Sequence, residues 1–410
     1  YDANVSLTHR FNSRNRVTLK YFSSKDRTNL DFNSIYKYMG ASMGDEMGEA
    51  LETMSLKWVN QWSNRVGAVT WKSMLGPRLF LQVQTSASMH RADNYSEMNM
   101  LVEDVAFDTS TKFGGNVNDF GAKLSLDYDP FYWSSLKVGA EYNSYSFFNG
   151  SELNHVELQS AERAPQLLAL FVEDKLKLGS LILRPGVRAV NYDNAGFRYE
   201  PRVNAVLNVG DTWSAQAAWG LYNQYIVSMN TQEFEFNQFL DYYYPLQGVE
   251  PSQSVHYMAG VEKRLNASNT LSVDLYYKDI RRTYMFDLLQ SQYEVFALSD
   301  KVVAGQGSTL GMELMWKGQV GKVSGWASYT LSKSTRSFPH IMNGAWYDYD
   351  YDRRHSFKAV ANYQVTQRIS YSASFRALSG VPRSVENAMQ MYYMYDPLTG
   401  TMIYSPQYTV

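Results

Sequence analysis

Residues 305–380 decide the fold, and they read GQGSTLGMELMWKGQVGKVSGWASYTLSKSTRSFPHIMNGAWYDYDYDRRHSFKAVANYQVTQRISYSASFRALSG. In the first run, residues 310–317, large apolar side chains occupy every second position, a period typical of a β-strand with two different faces. Three similar runs follow. Short polar turns, residues 319–322 and 366–368, alternate with a longer segment, residues 336–351. Short turns alternating with long loops are typical of a transmembrane β-barrel.

The same rhythm persists from the first residue to the last. It predicts about sixteen strands and the beginning of a further strand, with every second connection short. Residues 91–118 are expected to be a loop by their composition, and a last loop is expected over residues 381–405. No repeat of fixed period, as in a propeller, is found. The fold class expected is therefore all-β, an antiparallel up-and-down transmembrane β-barrel.

Composition supports one large sheet. The 410 residues show no Pro/Gly/Ser linker and no shift of composition, so residues 1–410 are expected to form a single transmembrane β-barrel segment. Aromatic residues make up 15% of the chain, as the girdles at membrane interfaces require. The longest apolar run, residues 167–172, is far shorter than the roughly 18 residues of a membrane helix. A net charge of −2 gives no basic surface for nucleic acid, so none is expected as a partner.

The ends of the chain predict a missing part. The sequence begins inside a strand-like run and ends as another begins, whereas closed bacterial barrels of one chain have even strand counts. The chain is thus expected to be a fragment of a longer precursor that lacks its first strands and its last strand.

Six short motifs carry a resemblance to a known family. The hairpin with Glu200-Pro201-Arg202 and residues 219–225, WGLYNQY, resembles one in TonB-dependent outer-membrane receptors of the Bacteroidetes type. The other five follow in the family's order: Leu275-Tyr276-Tyr277-Lys278, Gly311-Met312-Glu313-Leu314, residues 325–332, Asp352-Arg353-Arg354-His355 and Ser379-Gly380-Val381-Pro382. The match covers residues 163–382, and the earlier hairpins fit more loosely.

The resemblance implies a barrel of 22 strands around a plug domain, of which this chain holds strands five to twenty and the start of the next. It leaves out the plug and the segment that binds TonB. A barrel this wide has a plugged lumen. The function implied is that of a TonB-dependent active transport receptor, a multi-pass protein of the bacterial outer membrane that imports a scarce solute. The partners implied are membrane lipid and lipopolysaccharide, the protein's own plug domain, the TonB complex through the missing N-terminus, a small-molecule or chelate ligand, and a surface lipoprotein.

The solute is expected to be a ferric siderophore, haem or a similar metal chelate, because the lumen has mixed charges and the loops are aromatic. Oligosaccharide or peptide uptake remains open. So does a non-transporting binding or structural barrel: a surface receptor, an adhesin or a secretion component. No resident cofactor is expected.

Charged residues on the polar faces of the strands are expected to point into the lumen, since a basic residue on the lipid face costs about 2–4 kcal/mol at the midplane. They either hold the plug and wall by ion pairs or contact the solute. Aromatic loop residues either stack on the solute or pack against other loops. The candidate substrate-binding residues are Arg188, Arg202, Tyr222, Gln224, Phe236, Tyr243, Lys278, His340, Arg376 and Tyr393.

No metal site is expected. Asp348, Asp350 and Asp352 alternate like the opening of a calcium loop, but Arg353 replaces the turn glycine and no bidentate glutamate follows. An irregular cation site in this loop remains open. The six histidines form no HExxH motif, although His340, close to Met342, could ligate haem iron.

An enzyme is not expected either. Ser254 and His256 share a strand face, as a nucleophile and base would. However, the chain contains no G-x-S-x-G motif, and polar pairs on one face are routine in barrel lumens.

Overall fold

A computed structural model describes residues 1–33, 37–38, 54–102, 105–229, 242–286, 302–339, 341–382, 388–396 and 401–409. These residues are almost entirely β-strand, with one 3-10 turn at Met342–Gly344. The strands are β1 (Asp2–Arg10), β2 (Asn15–Asp31), β3 (Ser55–Gly76), β4 (Leu79–Val102), β5 (Val105–Phe131), β6 (Ser134–Leu153), β7 (Val156–Arg163), β8 (Gln166–Leu178), β9 (Leu181–Tyr192), β10 (Phe197–Val209), β11 (Trp213–Gln224), β12 (Ile226–Met229), β13 (Tyr242–Pro245), β14 (Ser252–Asn266), β15 (Asn269–Phe286), β16 (Val302–Val320), β17 (Val323–Ser337), β18 (Tyr347–Asp348), β19 (His355–Gln364), β20 (Ser370–Leu378), β21 (Ala388–Asp396) and β22 (Thr401–Thr409). Within the same residues, no helix is long and apolar enough to cross a membrane.

Strands β1 to β11 and β14 to β20 belong to one sheet. Consecutive strands pair antiparallel, as β1 with β2, β2 with β3, and β9 with β10. Two of the eighteen are short additions within connections: β7 pairs with β6, and β18 pairs with β17. The remaining sixteen long strands confirm the predicted number and the up-and-down order.

Two regions expected to be loops contain strands, so those predictions are wrong. In residues 91–118 the ladder of β4 and β5 continues to the pair Val102↔Val105. The flanking strands β3 and β6 cover most of this region, as far as the pairs Ser55↔Asn99 and Thr111↔Leu153. Their ladders satisfy polar backbone groups that composition alone would leave to water. In residues 381–405, β21 pairs with β22 in a separate hairpin, in keeping with the high strand propensity of tyrosine.

The chain comprises two compact units. The first contains residues 1–261 and 278–306, and the second contains residues 262–277 and 307–410. That residues 1–410 form one continuous barrel segment stays a prediction.

The sheet of the first unit has one apolar face. Strand registers place side chains that pair across strands on the same face, and one such row runs Leu7↔Leu19↔Val69. On β5, β8 and β10 this face carries Phe120, Leu170 and Tyr199, which are 52%, 46% and 66% exposed. Because so large an exposed apolar surface is unfavourable in water, this face suits a hydrocarbon environment.

The opposite face of the same strands is polar. Its cross-strand pairs include Lys123↔Glu141 and Arg188↔Glu200. Alternation along each strand thus separates apolar from charged side chains, as predicted.

The second unit shows the same separation on β17, β19 and β20. The apolar face carries the row Tyr329↔Phe357↔Ala377. The polar face carries Lys358↔Arg376, together with Asn362↔Ser372, in which the serine hydroxyl donates to the amide oxygen at 2.7 Å.

Candidate functional site

The polar face of the first unit carries a layer of ion pairs at mid-strand. Glu141 on β6 accepts hydrogen bonds from Lys123 Nζ and Arg188 Nη1, both at 3.1 Å. The side chains of Glu141 and Arg188 are only 24% and 22% exposed. Because the register brings β5, β6, β8 and β9 side by side, three residues far apart in sequence form one cluster with one net positive charge.

A second layer lies on β10, β11 and β14. Arg202 donates to the buried carboxylate of Glu200 at 2.9 Å, and its guanidinium lies 4.5 Å from the ring centroid of Tyr222, within the range of a cation–π contact. The Tyr222 ring lies 4.5 Å from the ring of His256. Gly220 leaves the room for this tyrosine, since a Cβ there would lie 2.9 Å from the Tyr222 hydroxyl.

His256 and Ser254 form the Ser/His pair that the sequence places on one face. Ser254 Oγ and His256 Nε2 are 3.0 Å apart. The charge of Lys278 on β15 acts on the same imidazole. The arrangement places one imidazole among tyrosine, serine and lysine, which suits hydrogen bonding within a lumen wall.

Two arginines converge on one carboxylate where β14 begins. Arg198 Nη1 lies 2.7 Å from Glu250 Oε2, and Arg282 Nη1 lies 3.4 Å from the same oxygen. The hydrogen bond from Arg198 lowers the pKa of Glu250. This cluster also carries one net positive charge, and its two arginine side chains are only 32% and 31% exposed.

A buried aromatic cluster adjoins these charges. Tyr192 and Tyr225 pack with ring centroids 5.0 Å apart, together with Leu167 and Val190. Within the described part of the chain, the hydroxyls of both tyrosines have no hydrogen-bond partner. The cluster is therefore a buried apolar core that contains two phenolic hydroxyls.

The small sheet of β12 and β13 packs against strand β6 and its neighbour β5. Tyr243 contacts His90 edge to face at 5.3 Å between ring centroids, and Tyr244 is buried with Val227 and Leu246. Tyr243, expected to be a binding residue, here packs against another part of the protein.

The predicted site residues are distributed as follows. Arg188, Arg202, Tyr222 and Lys278 lie in the first unit, in the layers described above. Gln224 donates to the carbonyl of Ile226 at 2.8 Å and fixes the end of β11.

The other predicted residues do not join these layers. Arg376 lies in the second unit on β20, exposed and opposite Lys358. Phe236, His340 and the side chain of Tyr393 lie outside the described residues. A role in solute binding stays a prediction for all ten.

The sequence reasoning missed Lys123, Glu141, Arg198, Glu250 and Arg282 as site residues. A signal existed for two of them, because Arg198 is two residues before Glu200 and Arg282 is four after Lys278, so each continues the alternation of a charged face. Glu250 lies outside a strand, where alternation gives no direction.

The alternating aspartates of the β17–β19 connection are bound by the protein itself. Asp352 accepts hydrogen bonds from the backbone N–H of Ser334 at 2.7 Å and from Arg354 at 3.0 Å. Arg354 also lies 3.7 Å from Asp348. Burial disfavours the charged form of Asp350 and therefore raises its pKa. Across the described ranges, no group of three or more His, Cys, Asp or Glu side chains could hold a metal ion.

The two faces and the sequential antiparallel order define a class, the outer-membrane β-barrels whose strands cross the bilayer. The family model "TonB dependent receptor-like, beta-barrel" matches residues 1–410, so the chain belongs to that family, whose members lie in the bacterial outer membrane. No curated protein matches the chain. The Bacteroidetes type stays a prediction.

Solved structures with similar folds include three receptors. The ferric-catecholate import receptor Fiu from K12 E. coli has a TM-score of 0.61 at 12% identity, with 92% of this chain and 63% of that chain covered. The ferric preacinetobactin receptor BauA from Acinetobacter baumannii has 0.59 at 11%, with 92% and 61% covered. The siderophore receptor PiuA from the same species has 0.54 at 10%, with 91% and 69% covered. The chain thus spans less than two thirds of the first two, and these identities establish the fold alone.

Proposed function

We propose that this chain is the barrel part of a TonB-dependent transport receptor that imports an anionic ferric chelate, such as a siderophore or haem, across the outer membrane. The observation that carries the proposal is the pair of cationic clusters on the polar face. In each of them one carboxylate is shared by two cations: Glu141 by Lys123 and Arg188, and Glu250 by Arg198 and Arg282.

Such clusters favour an anionic solute for two reasons. Each contains two cations and one carboxylate, and a local excess of positive charge raises the local concentration of anionic solutes. Arginine also presents planar, paired N–H donors that match carboxylate groups. The propionates of haem are carboxylates, and the oxygen ligands of catecholate and carboxylate siderophores are likewise anionic hydrogen-bond acceptors.

An adjoining tyrosine supports a solute with rings. Tyr222, whose ring already lies 4.5 Å from the guanidinium of Arg202, is the aromatic surface beside the charged layers on which such a ring could stack. The three receptors of similar fold are named for iron chelates, which supports the same solute class at the level of fold.

The first test is growth. A host with the gene deleted is grown on single limiting sources of ferric siderophore, haem, cobalamin, glycan or peptide, with and without TonB. We expect the deletion to slow growth on one iron source when TonB is present. In a strain that lacks TonB, the deletion should cause no further loss, because uptake through the receptor is already inactive there. A defect only on glycan or peptide would mean that the solute is a glycan or peptide and not an iron chelate. No defect on any source would favour a non-transporting receptor, adhesin or secretion component.

A variant test links transport to the clusters. Replacing both Arg198 and Arg282 by Gln is expected to reduce uptake of the identified chelate about tenfold, since loss of about 1.4 kcal/mol corresponds to that factor. The matched control is Arg281→Gln, on the same strand, whose guanidinium pairs with Asp279 at 3.1 Å. Equal uptake in both variants would refute the role of the clusters.

A further inference from the structure

A small pocket lies away from the charged layers, on the extended parts of β4 to β7. Its volume is about 200 Å³. It is lined by Arg91, Asp93, Lys112, Gly114, Gly115, Asn116, Phe148, Gly150, Glu152 and Glu157.

The register shows which face of the sheet bears this pocket. Three successive rows across β4, β5 and β6 are Arg91–Asn116–Phe148, Asp93–Gly114–Gly150 and Tyr95–Lys112–Glu152. By alternation along the strands, these rows share the face of Met89 and Phe120, which are 47% and 52% exposed on the apolar face. The pocket therefore opens outward, away from the polar face that holds the arginine clusters.

Glycines create the pocket. The middle row has glycine on two neighbouring strands, Gly114 and Gly150, so that backbone forms the floor while the rows above and below carry long side chains. A Cβ at Gly114 would lie 2.9 Å from Asp93 Oδ1. A side chain there would close the space.

The walls combine fixed polar groups with one aromatic ring. Lys112 pairs with Glu152 at 2.7 Å, and Arg91 pairs with Asp93 at 2.7 Å. Each wall thus offers both donors and acceptors while its charge is already balanced. The half-buried Phe148 adds the only aromatic surface among the lining residues.

This chemistry fits a neutral sugar better than an anion. Two cations and three carboxylates line the pocket, so an additional phosphate would meet net negative charge. The hydroxyls of a hexose both donate and accept hydrogen bonds, and the C–H face of its ring can lie on Phe148. Pockets for drug-sized ligands measure roughly 300–1,000 Å³, so this smaller one suits a single sugar ring.

The height of the pocket agrees with such an occupant. Arg91 follows Met89, the residue that ends the largely apolar outward row beginning at Leu79 on β4, by two positions, or about 7 Å along the strand. Sugars of the outer-leaflet glycolipid stand at this level above the hydrocarbon. We propose that the outer-face pocket binds one neutral hexose unit, supplied either by the surrounding glycolipid or by a free saccharide.

The test uses the full-length receptor purified in detergent, with methyl α-glucoside and methyl α-galactoside as free probes. A second arm measures co-purified lipopolysaccharide from a host whose core contains hexose, against a heptose-deficient host. Phe148→Ala removes the ring, and Asn116→Trp fills the pocket without truncating a wall. The control is Tyr199→Ala, an outward aromatic far from the pocket, which is 66% exposed.

Binding of a free glycoside that falls at least tenfold in each variant that folds, and not in the control, supports the site with a free saccharide as source. Loss of hexose-bearing lipopolysaccharide in both variants alone supports the glycolipid as source. The proposal is overturned if no glycoside binds and lipopolysaccharide retention is unchanged, if a glycoside binds the pocket variants as well as the unmodified receptor, or if Tyr199→Ala has the same effect. Because the two variants act in opposite ways, a folding defect in one leaves the other decisive.

Discussion

At the scale of the residue, the sequence predicted which face of a strand a side chain occupies but not which side chains it contacts. Arg188 and Arg202 were expected on a polar strand face, and the register places both there. Their partners Glu141 and Tyr222 could not be predicted, because alternation says which face a side chain occupies and not which neighbouring strand it meets. The contact of Tyr243 with His90 could not be predicted from sequence either, because it joins the small sheet of β12 and β13 to the distant strand β4.

The shared carboxylate of Glu141 gives the first prediction. Glu141→Gln leaves Lys123 and Arg188 facing each other without the intervening negative charge, so the free energy of unfolding is expected to fall by about 1–3 kcal/mol. The control is Asp127→Asn, whose pair with Lys137 is 37% and 45% exposed and is expected to cost less than about 1 kcal/mol. Urea unfolding of the refolded barrel measures both, and equal losses would contradict the prediction.

The pKa of Glu250 gives a prediction on pH. The hydrogen bond from Arg198 lowers this pKa below its ordinary value of 4.5, so the contact stabilises the loop above that pH and is lost as pH falls through the lowered value. Amide exchange of residues 246–250 is therefore expected to speed up in acid, relative to the Glu250→Gln variant at each pH. If the ratio of amide exchange rates between the two proteins stayed constant from neutral pH to strong acid, the contact would be refuted.

At the scale of the element, the long strands were predictable and their full length was not. Alternation identified sixteen strands because the apolar face repeats every second residue where the membrane requires it. From residue 91 onward both faces of β4 mix charged and amide side chains with isolated apolar ones, such as Ala92 and Tyr95, so the pattern fades although the ladder continues. Pairing with extended neighbours, rather than hydrophobicity, maintains these parts of the strands.

The β17–β19 connection gives a prediction for an element. Asp352→Ala removes a side chain that is 3% exposed and leaves the N–H of Ser334 and the guanidinium of Arg354 without their acceptor. The free energy of unfolding is expected to fall by about 1–3 kcal/mol, with faster amide exchange at Ser334. The control Asp348→Ala, at a carboxylate that is 46% exposed, is expected to cost less than about 1 kcal/mol.

Added Ca²⁺ tests whether the aspartates of the β17–β19 connection form ion pairs or a cation site. Because Arg354 already contacts both Asp348 and Asp352, added Ca²⁺ is expected to change neither the unfolding midpoint nor the exchange of this connection. A rise of the midpoint with millimolar Ca²⁺, lost in Asp352→Ala, would restore the irregular cation site as an interpretation.

At the scale of the molecule, two faces of opposite polarity organise the first unit. The polar face carries clusters of charged side chains that come from strands between β5 and β15. The apolar face carries large exposed side chains on β1 to β11. The sequence predicted this separation throughout, because a single slip of alternation would move a charged row to the lipid side. It could not predict the outward pocket, which depends on glycines aligned across neighbouring strands.

A charge placed on each face tests this organisation. Leu170→Arg puts a cation on the apolar face of β8, where the leucine is 46% exposed, and is expected to lower the free energy of unfolding by about 2–4 kcal/mol in lipid vesicles. Thr70→Arg, on the polar face of β3 in register with Gln84, is the matched control and is expected to cost less than about 1 kcal/mol, because its guanidinium keeps its water. In detergent the difference should shrink, since a micelle adapts to the charge more readily than a bilayer. Equal costs in vesicles would mean that the apolar face does not meet lipid, and the membrane orientation of the whole sheet would then be wrong.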